Sequence, residues 1–140
     1  MDTHRIEAIA TAVRRAIEIS DPKALPWPSF PRGACGDTSL VLGQVLHDAG
    51  ISGFDYICGN KYKDDGSCSS HAWLRRDGWI VDITADQFSD VDMPVIVTRN
   101  SEWHDQWEQD RPAPGTLEPY GAQVPQLWRL LSHLKLRLAL

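Results

Sequence analysis

Three residues of this chain, Cys35, His71 and Asp82, are of the types that build a thiol-based active site. A nucleophilic thiol needs a lowered pKa, a base within hydrogen-bond reach and a group that orients this base. Cys35 lies in PRGACGDTS, directly before a segment with helical periodicity. The free N–H groups and the dipole of a helix N-terminus stabilise a thiolate and can donate to an oxyanion. We therefore expect Cys35 to be the nucleophile.

His71 and Asp82 lie on the two strands of a predicted hairpin, HAWLRRDGWIVDIT. Its turn is Asp77-Gly78, a favoured two-residue turn between alternating runs. His71 is six residues before Asp77 and Asp82 is four residues after Gly78. Because both separations are even, the two side chains share one face of the hairpin, two positions apart along the ladder. A carboxylate there would hold the imidazole in one tautomer.

The elements that position these residues follow from hydrophobic periodicity. Helical spacing covers residues 4–19, 36–49 and 124–138, whereas FDYICG, CSSHAWL, GWIVDIT and MPVIVT predict three or four antiparallel strands. Four prolines between Pro22 and Pro31 predict an extended connector that leads to Cys35. Helices first, strands next and a helix last indicate an α+β fold in a single domain, 1–140. The nucleophile helix would pack on a small antiparallel sheet of about three to five strands.

The segment 99–123 is polar, rich in proline and glycine, and contains Trp103 and Trp107. It predicts either a lid or a surface loop with one short helical turn, on which the two tryptophans would meet. Three further histidines have no acid or cysteine at an informative spacing, and we expect them at the surface: His47, His104 and His133.

The amino-acid composition narrows the classes of function that this protein could have. The chain has 140 residues, is 42% hydrophobic and contains six tryptophans, enough apolar material for a core. Its net charge of −5 disfavours nucleic acid and anionic membranes as partners. No segment approaches the ~20 apolar residues of a membrane span, and the first residues lack a secretory pattern. We expect a cytoplasmic protein, or an effector delivered by a leaderless route.

The cysteines are odd in number, which argues against a disulfide scaffold. Cys58 is expected in a core strand and Cys68 in an exposed loop, and a disulfide between them would require an oxidising space. With Cys35 and His71 they could instead form a Cys₃His zinc site. The gaps of 23 and 10 residues between the cysteines are unlike the short paired spacings of such sites. The prediction is therefore no metal and no cofactor.

The sequences GACGDTSLVLGQVLHDAGI, YICG, HAWL and DGWIVDITADQF, spread over residues 33–88, resemble the transglutaminase-like enzymes of the papain-like cysteine enzyme superfamily. The resemblance implies a papain/transglutaminase-like fold and a Cys35–His71–Asp82 triad for acyl transfer at an amide, thioester or related carbonyl. Members of the superfamily act as proteases, glutamine deamidases, amide cross-linkers, arylamine acetyltransferases and peptide-maturation enzymes. The usual Asp-Pro after the strand is replaced here by Asp82-Ile83-Thr84, which leaves the subfamily open.

The donors to the oxyanion are less well defined by the sequence. Papain-type sites use a glutamine shortly before the nucleophile, but Ser29 occupies the position six residues before Cys35. The backbone N–H of Cys35 would act together with a donor from Trp27, Ser29 or Gln87.

Two classes of function remain. The first is a cysteine-dependent acyl-transfer enzyme that hydrolyses peptide or isopeptide bonds, deamidates glutamine or forms amides, with a protein or peptide as substrate. Gly36 would leave room for the substrate, and Trp73 would be a pocket wall or a core residue. The alternatives are an arylamine N-acetyltransferase-like acyltransferase, or an inactive relative that binds partners through its acidic body and basic tail.

Overall fold

The computed structural model describes residues 1–138, so the last two residues of the predicted domain lie outside the described part. In this part the chain forms four α-helices and six β-strands. They are, in chain order, α1 (Thr3–Glu18), α2 (Cys35–Asp48), β1 (Asp55–Tyr62), β2 (Cys68–Arg76), β3 (Trp79–Asp82), β4 (Ile96–Thr98), α3 (Glu102–Asp105), β5 (Glu108–Gln109), β6 (Ala113–Pro114) and α4 (Pro125–Lys135).

The strands form one antiparallel sheet in the order β4-β3-β2-β1-β5, with β6 also pairing with β1. The α+β class and the four main strands are thus as predicted, but the sheet has six strands and not the predicted three to five, because the short strands β5 and β6 of the segment 99–123 add to β1. The predicted turn joins β2 and β3, and Asp77 and Gly78 both have positive φ angles, 50° and 79°. Such angles are what a two-residue turn matched to the strand twist requires.

The two faces of the sheet carry two separate cores. On one face the sheet packs with α1, α2 and α4 around a large apolar cluster that includes Leu74 and Val81. The opposite face carries a smaller cluster, which consists of Ile57, Trp73, Ile80 and Trp107. Because side chains alternate along a strand, His71 and Asp82 share the face of Trp73 and Ile80. The two catalytic candidates therefore belong to the smaller core.

The helices form where the periodicity predicts them, and their apolar stripes are buried. On α4 four leucines are at most 5% exposed: Leu127, Leu130, Leu131 and Leu134. Burying a leucine stabilises the fold by roughly 1.5–3 kcal/mol, so this stripe is enough to dock a short helix. None of the described helices has the length and apolarity that crossing a membrane requires.

The segment 99–123 is mostly exposed and contains the predicted helical turn as α3, which fits the predicted surface loop, but four of its residues are buried and fix it to the fold. Trp107 is 4% exposed and Leu117 is fully buried. A β-carbon on Gly43 of α2 would lie 1.7 Å from the carbonyl oxygen of Gly115, so only glycine allows this close approach. The helix thereby holds the segment against the sheet.

Candidate active site

Cys35 is the first residue of α2, and the residue before it, Ala34, supplies no side-chain cap. The first N–H groups of the helix therefore lack the oxygen that usually covers a helix N-terminus. The thiol is half-buried and forms no disulfide. Its environment is the positive end of a helix dipole, which favours the thiolate.

Cys35 can reach β2 because β3 is shorter than β2. The β2–β3 pairing covers Arg76↔Trp79 to Leu74↔Val81, so Ala72 has no partner in β3. The first turn of α2 occupies this position instead. The carbonyl of Ala72 accepts the Ser39 hydroxyl at 3.4 Å, and the backbone of Ala72 also helps to lower the pKa of the Cys35 thiol. Because β3 ends early, the first turn of α2 can pack against the free edge of β2.

His71 bonds to the carboxylate of Asp82 as the hairpin register predicts. The distance from His71 Nε2 to Asp82 Oδ2 is 2.6 Å, and both side chains are fully buried. The imidazole of His71 also lies beside the thiol of Cys35, whose pKa it lowers. Since Asp82 occupies Nε2, Nδ1 is the nitrogen that faces the thiol. The three residues thus form a continuous Cys35–His71–Asp82 chain, which is the arrangement of a thiol nucleophile, a base and an orienting acid.

The protonation of this chain follows from burial and hydrogen bonding. Burial raises the pKa of the Cys35 thiol, but the hydrogen bond and charge of His71 and the amide of Ala72 outweigh it, so the pKa lies below its ordinary value. Burial lowers the pKa of His71, but Asp82 and Cys35 raise it to about 9. Both shifts favour a thiolate–imidazolium pair over a neutral thiol and imidazole.

Asp82 has a second histidine partner that the sequence reasoning missed. His104, on α3, is fully buried and its Nε2 lies 2.7 Å from Asp82 Oδ2. The expected surface position of His104 is therefore wrong. The one local signal is Ser101, which lies three residues earlier and caps α3 through the His104 amide. Nothing in the spacing indicates that this turn packs on Asp82, because the contact spans 22 residues of chain.

Of the three predicted side-chain donors to the oxyanion, the structure brings Gln87 to the thiol. Gln87 ends a 3₁₀ turn, Ala85–Gln87, and its side chain lies close enough to Cys35 to help lower the pKa of the thiol. Its Nε2 also lies 3.1 Å from His71 Nδ1. The indole N–H of Trp27 is engaged elsewhere, since it donates to Asp37 at 3.1 Å, and Ser29 is exposed on the connector.

The other two predicted substrate-binding residues have different surroundings. Gly36 is half-buried in the first turn of α2, where a β-carbon would lie 2.9 Å from the hydroxyl of Tyr56. Tyr56 thus lies beside the nucleophile, a neighbour that the sequence did not indicate. Burial and the charges of Cys58 and Cys35 raise its pKa to about 12. Trp73 is fully buried in the smaller core, so it is a core residue and not an open pocket wall.

Arg14 of α1 anchors the turn that carries Gln87. Its guanidinium donates to both carboxylate oxygens of Asp86 at 2.7 and 2.8 Å and to the carbonyl of Ile83 at 2.7 Å. The Arg14 side chain is 8% exposed and that of Asp86 is 18% exposed. Because this bidentate ion pair is largely shielded from solvent, it holds the backbone on both sides of Ala85 in place.

We expect Arg14→Met to destabilise the protein by about 2 kcal/mol, because it leaves the carboxylate of Asp86 partly buried and unpaired. The free energy of unfolding in urea measures this loss. The double variant Arg14→Met/Asp86→Asn should recover part of it, since the uncompensated charge is gone. If Arg14→Met and the double variant lose equal stability, the ion pair with Asp86 is not the source of the stability that Arg14 contributes.

A metal site is a second interpretation of the buried cluster. Among residues 1–138, His71, Asp82 and His104 form the one group of potential ligands, with donor atoms within 4.8 Å of one another. The carboxylate oxygen lies 2.6 and 2.7 Å from the two imidazole nitrogens. Zinc ligands with bonds of about 2.0–2.1 Å in tetrahedral geometry lie roughly 3.3 Å apart. The observed separations fit hydrogen bonds better than a coordinated ion.

The three cysteines do not join this group in the described residues. Cys58 pairs with Ala72 in the sheet and Cys68 pairs with Tyr62, so four ladder positions separate the two thiols. Both are free: Cys68 is exposed as predicted but begins β2 and is not in a loop, and Cys58 lies in β1 as predicted but is half-buried and not in the core. The Cys₃His site and the Cys58–Cys68 disulfide are both contradicted by this placement.

Comparison with known proteins adds no assignment: no family profile, curated protein or solved structure matches this chain. The fold and the site therefore define an α+β protein in which a Cys–His–Asp chain joins a helix N-terminus to a small antiparallel sheet.

Proposed function

We propose that this protein is a cysteine-dependent acyl-transfer enzyme with a papain/transglutaminase-like fold. The observation that carries the proposal is the position of His71. Its Nε2 bonds to the buried carboxylate of Asp82, while its ring lies beside the thiol of Cys35 at a helix N-terminus and lowers the pKa of that thiol. A thiol at a helix N-terminus, an imidazole beside it and a buried carboxylate behind the imidazole are the environments that a nucleophile, a base and an orienting acid require.

In the proposed reaction, Nδ1 of His71 already holds the proton of the Cys35 thiol, and the resulting thiolate attacks the carbonyl carbon of the substrate. The carbonyl π electrons move to the oxygen, which the backbone N–H of Cys35 and the Gln87 amide would stabilise. The imidazolium then protonates the leaving group, and a thioester to Cys35 remains. Water or an amine gives a proton to His71, attacks this thioester and releases Cys35. Asp82 stays ionised and orients the imidazole throughout.

The proposed substrate is a protein or peptide, which supplies a backbone, isopeptide or glutamine amide. The triad serves hydrolysis, deamidation and transfer to an amine equally well, because all three proceed through the same acyl-enzyme. The choice among them depends on the nucleophile that resolves the thioester and on the surfaces around the site.

The test is to trap the acyl-enzyme with a simple activated acyl donor, p-nitrophenyl acetate, and to read the intact mass of the protein. We expect a rapid burst of p-nitrophenol and a mass increase equal to one acetyl group, located on Cys35 by peptide mapping. Cys35→Ala should lose both signals. Cys68→Ala is the matched control, because it removes an exposed free thiol away from the triad and should retain both.

Equal acetylation of Cys35 and Cys68, or a burst that persists in Cys35→Ala, would contradict the proposal. When a target protein has been found, its mass separates the reactions. Deamidation raises the mass by about one unit, hydrolysis of the backbone cuts the target, and transfer adds the mass of the amine minus ammonia.

A further inference from the structure

Asp82 of the proposed triad bonds to two histidines through one oxygen. Both His71 Nε2 and His104 Nε2 lie within 2.7 Å of Oδ2. We propose that His104, held by Ser101, is a positioning residue that fixes the Asp82 carboxylate and thereby sets how strongly Asp82 holds the imidazolium of His71. The inference rests on the proposed function, which uses His71 as the base.

The hydrogen-bond pattern determines the tautomer of His104. The Ser101 hydroxyl oxygen accepts the backbone N–H of His104 at 3.1 Å, so its own proton is free for the Nδ1 of His104 at 2.5 Å. Nδ1 then accepts, and the proton of the neutral ring is on Nε2. That nitrogen donates to Asp82. Ser101 therefore directs the imidazole proton toward the carboxylate of the triad.

The other oxygen of the carboxylate is also occupied. Oδ1 of Asp82 accepts the backbone N–H of Thr84 at 2.9 Å. Donors on both oxygens prevent rotation of the carboxylate, and the donor from His104 competes with His71 for the charge on Oδ2. Burial raises the pKa of Asp82, but the hydrogen bonds from His104 and His71 lower it to about 2.

His71 has three ionisable neighbours in the described part of the chain: Cys35 on α2, Asp82 on β3 and His104 on α3. Its remaining neighbours are uncharged; they are Gln87, Trp73, Phe88, Trp103 and Trp107. Removing the N–H of His104 concentrates the carboxylate charge on His71 and removes a dipole whose positive end lies near the imidazolium. Both changes favour the protonated form of His71.

The experiment follows the imidazole ¹⁵N resonances of the full chain, labelled at histidine, as the pH is varied. In the wild type, the shifts of His104 should show a neutral ring protonated at Nε2. In His104→Phe, which keeps an aromatic ring in the cluster, the titration midpoint of His71 should rise by about half a pH unit or more. His104→Gln places an amide donor at a similar reach and should restore the wild-type midpoint.

Each outcome decides the proposal. An Nδ1-protonated His104 in the wild type overturns it without any variant, even if His104→Phe does not fold. A folded His104→Phe with an unchanged His71 midpoint and a lower melting temperature would show a packing role alone. The readout does not depend on turnover, so an absent acyl-enzyme together with a shifted midpoint would contradict the proposed function and leave the role of His104 intact.

Discussion

At pH 6, Cys35 should react with iodoacetamide at least ten times faster than Cys68, and His71→Ala should remove this advantage. An ordinary thiol with a pKa of ~8.5 is only about 0.3% thiolate at this pH. The hydrogen bond and charge of His71 lower the pKa of Cys35 despite its burial, so a larger fraction of this thiol is ionised. A thiolate of low pKa is also less nucleophilic, which limits the gain.

The rate of each cysteine is read by peptide mass after timed alkylation. Cys68 is an internal reference because it is exposed and free. His133→Ala is the matched control, since His133 lies on α4 and bonds to Ser20, away from the triad. Similar alkylation rates for Cys35 and Cys68 in the wild type would show that Cys35 is not unusually ionised, and would contradict the proposed mechanism. Loss of the advantage in His133→Ala as well would point to a general change of the fold.

The second large effect concerns stability. We expect Asp82→Asn to lower the free energy of unfolding by about 3 kcal/mol near pH 6, because two buried imidazole N–H groups would face an amide in place of a carboxylate. Asp64→Asn, in the exposed loop between β1 and β2, changes the same side chain in solvent and should leave stability nearly unchanged. Urea unfolding of both variants measures the difference.

The wild type should also lose stability at both ends of the pH range. The pKa of Asp82 is lowered to about 2, so its contribution is complete above ~4 and is lost as the pH falls toward 2. The pKa of His71 is raised to about 9, so its contribution is complete below ~6.5 and is lost as the pH rises through 9. Both shifts describe one buried ion pair, so the total contribution is about 2–3 kcal/mol and not their sum.

Unfolding free energies measured between pH 3 and pH 9.5 should therefore reach a maximum between about 4 and 6.5. In Asp82→Asn the decline toward alkaline pH should be much weaker, because His71 has lost the charge that holds its proton. An unchanged alkaline decline in this variant would mean that a group other than the Asp82–His71 pair produces it.

The local elements and the Cys35–His71–Asp82 chain were predictable from sequence because they depend on short-range rules. The helical stripes of α1, α2 and α4 and the Asp77-Gly78 turn depend on residues a few positions apart. The Asp77-Gly78 turn also sets the register of β2 against β3, and this register places His71 two ladder positions from Asp82. Cys35 at a helix start follows from the same periodicity.

The surroundings of the triad depend on contacts between distant segments, which no local pattern encodes. Residues 99–123 read as a polar loop, but α2 holds this segment through Gly43 and Gln44, and its packing buries His104 against Asp82. Likewise, Gln87 reaches the thiol because Arg14, 72 residues before Asp86, anchors the turn. The sequence by itself therefore determined which residues form the Cys–His–Asp chain. Only the tertiary structure decided what holds that chain in place, because those hydrogen bonds join groups far apart in the sequence.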